Sequence, residues 1–232
     1  MCPALPPSPQ QHGFHCDRST ETAASCLVDY VEHHIYSWSH CLTAFLDVRS
    51  AFDSVTPQHI QRSLLRVGAD PGVIGWYNDY LLHRNMTYHH GHLTTTRTTG
   101  MGFPQGGVCS ASFLSLAFDK AVLLINTDDN LGVAFADDCA FLSGGTDPAL
   151  IISHIQCTVD RPVEWGSECG LTFNPAKTQV LFFSRSRTMP PWAITVAGYP
   201  IPYSTTAQYL GLTLDRRLWW HDHVHQKTSK AK

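Results

Sequence analysis

Residues 42–55 read Leu42-Thr43-Ala44-Phe45-Leu46-Asp47-Val48-Arg49-Ser50-Ala51-Phe52-Asp53-Ser54-Val55. Leu42 to Val48 is an apolar run of strand length with one carboxylate, Asp47, near its end. A carboxylate there is costly to desolvate unless a cation or hydrogen-bond donors meet it, although a strand-end Asp also serves as a plain cap or turn residue. Downstream, Val133-Ala134-Phe135-Ala136 and Cys139-Ala140-Phe141-Leu142 flank Asp137-Asp138, a pattern that predicts a hairpin with an acidic tip. Two short apolar strands lying side by side and ending in carboxylates would bring Asp47, Asp137 and Asp138 together. Bound divalent cations would then offset their repulsion. Two Mg²⁺ ions about 4 Å apart, shared with substrate phosphates, are the machinery of in-line phosphoryl transfer.

Around these strands the chain alternates helical and extended patterns. Ser19-Thr20-Glu21 caps a helix over 21–36, with Ala23, Ala24, Leu27, Val28, Val31 and Ile35 at helical spacing. Thr56-Pro57 opens a second helix that Gly68 stops, and Pro71 to Leu82 forms a third. Met86 to Thr99 alternates around Gly91 and reads as a β-hairpin. Gly100 to Gly107 is a glycine-dense loop, and a helix runs from Ser110 to Ile125. Residues 148–168 form a long helix. Val180–Phe183, Ala193–Val196 and Gln208–Leu214 are further strands, and 219–230 is more helical than extended. Strands and helices without strict alternation give an α+β fold, an antiparallel sheet backed by helices. The Pro- and Gln-rich residues 1–12 read as a disordered tail, 13–225 as the folded domain and 226–232 as a basic tail.

The 232 residues are 43% hydrophobic and 15% charged, which excludes a disordered chain. Eight scattered cysteines with no Cys-x-x-Cys pair, no secretory leader and no apolar run of spanning length point to an intracellular protein, cytoplasmic or nuclear, with no membrane partner. The net charge of −3 is uneven: residues 177–232 carry eight Lys or Arg against Asp215 and Asp222, a net +6, and the first 176 residues carry −9. A basic C-terminal region is either a phosphate-binding surface or a solvated end. His221, His223 and His225 alternate, and His89, His90 and His92 cluster, but neither group has a carboxylate or thiol spaced to complete a zinc site.

Five blocks, in order, resemble the reverse transcriptases of non-LTR retrotransposons. Phe45 to Val55 is similar to the first palm motif, Gly102-Phe103-Pro104-Gln105-Gly106 with Ser110 to the nucleotide-pocket motif, and Phe135-Ala136-Asp137-Asp138 to the two-aspartate hairpin. Gly170 to Thr178 is similar to the block that follows. Tyr209-Leu210-Gly211, with Leu218-Trp219 and His223-Val224, resembles the primer grip and its downstream sequence, while Gln11 to Phe14 and Arg18 to Thr20 resemble the approach to the palm.

The resemblance implies an RNA-directed DNA polymerase palm with partial fingers and a missing thumb. Asp47, Val48 (through its carbonyl), Asp137 and Asp138 would ligate two Mg²⁺, for which Mn²⁺ can substitute. One ion would activate the primer 3′-hydroxyl and the other would neutralise the leaving pyrophosphate. Phe52 would lie under the incoming sugar and block a 2′-hydroxyl, or else be an ordinary core ring. Gly102, Pro104, Gln105 and Gly106 would form the nucleotide loop, or a plain connection. Lys177 would act as a general acid toward pyrophosphate, or be a solvated turn lysine. Partners would be an RNA template, a DNA primer and deoxynucleotides; the oligomeric state is not encoded in any motif. The chain departs from the pattern at His15, where Arg is usual, at Gly107 and Ala111 in the pocket helix, and at Phe135, where Tyr is more common. With 46 residues before Asp47 and 21 after Gly211, the expected activity of the chain alone is weak or nil. Two alternatives stay open: an inactive nucleic-acid-binding remnant, and an RNA-dependent RNA polymerase palm, against which Phe52 argues.

Overall fold

The run that contains Phe45 becomes β1 (His40–Leu46), one of the two inner strands of a four-stranded sheet in a computed structural model that describes residues 6–82, 84–125, 130–186, 189–191 and 194–230. β1 pairs antiparallel with β5 (Asp138–Gly145) on one side and β6 (Gln179–Phe183) on the other; β4 (Asn130–Phe135) pairs with β5, so the order is β4-β5-β1-β6. Six of the seven β1 residues are buried because both faces of the sheet are covered. Alternation assigns Leu42, Ala44 and Leu46 to one core and Cys41 and Phe45 to the other.

The first core is closed by α3 (Pro57–Arg66), α4 (Pro71–Leu81), α5 (Ser110–Leu123) and α6 (Pro148–Cys169). The second is closed by α1 (Thr20–Tyr36), which Ser19 and Thr22 cap reciprocally, and by a hairpin of β9 (Thr206–Tyr209) and β10 (Leu212–Asp215). Leu27, Val31 and Ile35 on α1 recur every four residues and face the sheet. The chain is thus mixed α/β with antiparallel sheets, as the patterns predict.

Several expectations need correction. Residues 208–214 are not one strand. Leu210 and Gly211 adopt φ of 47° and 80°, a two-residue turn that folds the run into β9 and β10. The strand expected at 193–196 begins at Ile194 as β7 (Ile194–Val196), pairing with β8 (Tyr199–Ile201); Ala193 lies outside the described residues. A four-residue helix, α2 (Ala51–Ser54), is too short to leave a periodic signature. The helix expected over 219–230 forms as α7 (His221–Lys230) and runs into the basic 226–232 stretch, of which 231–232 lie outside the described residues.

The expected tail 1–12 is also corrected where it is described. Ser8, Gln11 and His12 are buried. The His12 N–H donates to the Ala134 carbonyl and the Ala134 N–H to that of Gln10, extending the edge of β4. The Ser8 N–H donates to Asp119, fully buried in α5, whose carboxylate also pairs with Arg66 at 2.6 Å. Residues 1–5 lie outside the described residues. The hairpin of β2 (Arg84–His90) and β3 (Leu93–Thr99) forms as expected and is exposed over nearly its whole length.

Candidate active site

β1 and β5 deliver the carboxylates to one end of the sheet. Leu46 is registered against Cys139, so Asp47 leaves β1 beside the start of β5, where Asp138 pairs with Phe135. The turn between β4 and β5 is therefore Ala136-Asp137, one residue earlier than the expected acidic tip, and Asp138 is the first strand residue. Ala136 has φ of 59°, a strained position for a residue with a Cβ.

Gln11 clamps this turn. Its Oε1 accepts from the Ala136 and Gly13 N–H groups, and its Nε2 donates to the Ala136 and Ser115 carbonyls. Gly13 approaches so closely that a Cβ there would collide with the Ala136 backbone nitrogen. The sequence flags Gln11 and Gly13 only through resemblance; the physical reason for them is this clamp.

Asp47 is fixed from the other side by the turn at 172–178. The Asn174 N–H donates to the Asp47 carbonyl and the Arg49 N–H to that of Thr172, which makes Val48 and Phe173 a non-hydrogen-bonded pair and turns the Val48 carbonyl away from that neighbour. The turn continues through Asn174, whose carbonyl accepts from Lys177 and Thr178, and sets Lys177 Nζ 3.9 Å from Asp47 Oδ1.

Asp47, Asp138, Lys177, Tyr209 and Leu210 line one cleft of about 230 Å³. Cys139, Gln179 and Gln208, which no motif singles out, line it too. Gln208 is held there by its N–H on Gln179 Oε1. Gly211, with φ of 80°, lies past the lining at the tip of the β9–β10 turn. Tyr209 is buried against Phe45, ring centroids 5.6 Å apart.

The carboxylates feel one another. Burial lifts the Asp137 carboxyl above its ordinary value against the opposing pull of its own backbone N–H, and the Asp47 charge lifts it further. Asp138 is raised by loss of water on its protein side, then by Asp137 and Asp47. Among the described residues, no three His, Cys, Asp or Glu side chains are already drawn together as a metal-ligand set. Hard carboxylate oxygens around an open cleft are the donors a Mg²⁺ ion shares with a triphosphate. His223 instead accepts from the Thr213 N–H through Nδ1, and His89 pairs with Thr94, consistent with structural roles.

Phe52, Gly102, Pro104, Gln105 and Gly106 form a second group, not part of the acidic cleft. The Gly102 N–H donates to Val55 and the Phe103 N–H to Phe52, at 2.9 and 2.6 Å, tying the loop to α2. A Cβ on Gly102, whose φ is 70°, would sit 2.7 Å from the Phe52 oxygen and the Asp53 Cα. Pro104 to Gly107 is a closed turn with Gln105 and Gly106 exposed, and Ser110 Oγ donates to the Pro104 carbonyl. Phe52 itself is half-buried against the first core.

A two-aspartate hairpin beside a third strand-end aspartate on an antiparallel sheet defines a polymerase-like class, and the chain belongs to the reverse transcriptase (RNA-dependent DNA polymerase) family, whose model matches residues 5–214. It is 27% identical over 226 residues to the probable RNA-directed DNA polymerase from transposon X-element of Drosophila melanogaster, covering 92% of this chain and 24% of that protein. The RNA-directed DNA polymerase from mobile element jockey of the same organism is 26% identical over 223 residues, again 92% and 24%. The chain thus spans about a quarter of the length of these relatives. Its fold is similar to that of telomerase from Candida tropicalis, at 12% identity and a TM-score of 0.58, over 85% of this chain and 35% of that one. No helix among the described residues is long and apolar enough to cross a membrane.

Proposed function

We propose that residues 13–225 are the palm, with part of the fingers, of a non-LTR retroelement RNA-directed DNA polymerase acting in the cytoplasm or nucleus. The observation that carries this reading is that β1 and β5 bring Asp47 and Asp138 to one open cleft at the end of the sheet, with Asp137 in the adjoining turn. Asp47, the Val48 carbonyl, Asp137 and Asp138 would hold two Mg²⁺ or Mn²⁺. When bound, these ions supply Lewis-acid activation of a primer 3′-hydroxyl and charge neutralisation at the leaving pyrophosphate.

The chain's own residues do the rest. Lys177, beside Asp47 and largely exposed, reaches toward the triphosphate and gives a proton to pyrophosphate. The exposed Gln105 amide and the Gly106 backbone contact sugar or template base, on a turn fixed by Gly102 and Pro104. Phe52, locked to that turn through its own carbonyl, bars a 2′-hydroxyl and so favours deoxynucleotides. The Tyr209-Leu210-Gly211 turn grips the DNA primer against an RNA template.

The test is extension of a DNA primer on an RNA template with deoxynucleotides and Mg²⁺ or Mn²⁺. Weak extension is expected from the chain alone, and none from Asp137→Asn. Extension that survives Asp137→Asn overturns the assignment, and none from the wild type under either ion favours a nucleic-acid-binding remnant.

A further inference from the structure

β1 and β6 span the sheet between the acidic cleft and a second surface at its opposite end, which the chain leaving β10 also reaches. His40 and Asp47 are separated by seven residue steps along β1, roughly 20 Å at strand rise. There Tyr36, Trp38, Arg185, Arg217 and Trp219 line a groove of about 450 Å³. It continues into a depression of about 240 Å³ that shares Trp38 and Arg185 and adds His40 and Ser186. A third, of about 390 Å³, shares His40 and Ser186 and ends at Pro148.

Three features mark this groove as built. The Arg185 guanidinium carbon lies 5.2 Å from the Tyr36 ring centroid and 5.0 Å from that of Trp38, and Arg217 lies 4.8 Å from that of Trp219. The Arg217 guanidinium also donates to the Arg185 carbonyl, joining the two strand ends. Trp38 is 77% exposed and held at φ of 59°, a conformation a bulky residue adopts only under constraint. The aliphatic residues nearby, Ile35 and Leu218, are buried, so the exposed lining is rings and guanidiniums rather than the aliphatic core of a protein interface. Glu32 and Asp147 stand in the linings of the first and third depressions, while Arg185 lies where the first two meet and Arg217 lines the first.

We propose that this groove binds single-stranded nucleic acid, its bases stacking on Trp38, Tyr36 and Trp219 and its phosphates meeting Arg185 and Arg217. Aromatic platforms interleaved with cations are the chemistry that takes an unpaired strand without sequence preference. The site is separate from the acidic cleft and needs neither metal nor deoxynucleotide, so it stands or falls independently of polymerase activity.

The test is fluorescence anisotropy of labelled 12-nucleotide single-stranded DNA, the matching RNA and a 12-base-pair duplex, in EDTA, with the full chain. Single strands are expected to bind. Affinity should drop about tenfold in Trp38→Ala and in Arg185→Ala/Arg217→Ala, persist in Trp38→Phe, and be unaffected by Gly75→Ala on the exposed stretch of α4. Tighter binding of the RNA or of the DNA supports the site either way and identifies the strand it serves. Wild-type affinity in both groove variants, an equal loss in Gly75→Ala, or duplex binding as tight as single-strand binding overturns it.

Discussion

Gly102 is where the nucleotide loop meets α2, and substituting it gives a graded test of that junction. Its φ of 70° costs an alanine about 1–2 kcal/mol in left-handed backbone. The new Cβ would also sit 2.7 Å from backbone atoms of Phe52 and Asp53, which cannot swing aside as a side chain would. Separating the loop from α2 then weakens two hydrogen bonds, from Gly102 to Val55 and from Phe103 to Phe52, each worth about 1 kcal/mol. Gly102→Ala should therefore lose about 3–4 kcal/mol. Gly106→Ala isolates the backbone cost, since φ is 85° but nothing lies within 4 Å of its Cβ, and should lose about 1–2 kcal/mol. Gly75→Ala, inside the exposed stretch of α4 with open space around it, should gain about 0.5–1 kcal/mol. Urea titrations followed by circular dichroism rank the three. A Gly102→Ala loss no larger than that of Gly106→Ala would refute the close approach of loop and helix.

Asp119→Ala should cost about 3–5 kcal/mol in the same titration, because it strands the Arg66 guanidinium and the Ser8 N–H; a loss under 1 kcal/mol would show the pair to be solvated. The Asp137 and Asp138 carboxyls are raised in the folded chain, so it holds more protons than the unfolded chain in the carboxylate range, and stability falls as pH rises through that range toward neutral. Asp137→Asn should flatten this fall and raise Tm in metal-free buffer, and an unchanged pH profile would contradict the shared field. Gln11→Ala should release the strained Ala136 turn, which faster amide exchange at Ala136 would register. Phe52→Val should raise ribonucleotide incorporation in primer extension, whereas an unchanged ratio would reduce Phe52 to a packing residue.

Where local pattern and tertiary packing agree, the sequence was readable. β1 is largely apolar and buried from Cys41 onward because both its faces are covered, and α1 follows a four-residue repeat because one face meets the sheet. The two apolar runs that end in carboxylates do lie side by side, which sets Asp47 and Asp138 at one cleft. What escaped was set by distant partners or by one or two dihedrals. Gln11 reads as part of a polar tail until Ala136 and Ser115 are placed around it. The Leu210-Gly211 turn is hidden inside an apolar run, with only the glycine as a signal. α2 is barely one turn long and shows no repeat that would reveal it, and the ring-and-guanidinium groove joins Trp38 to Arg185 and Arg217 across most of the chain.

The central claim is that Asp47, Asp137 and Asp138 form one divalent-cation site, and Mn²⁺ binding followed by electron paramagnetic resonance tests it without requiring turnover. The chain should bind Mn²⁺ more tightly when a deoxynucleoside triphosphate is added, because its phosphates complete the coordination the carboxylates begin, and Asp47→Asn and Asp137→Asn should each abolish that enhancement. Titration curves for both variants that overlay the wild type, with and without the nucleotide, would contradict the claim.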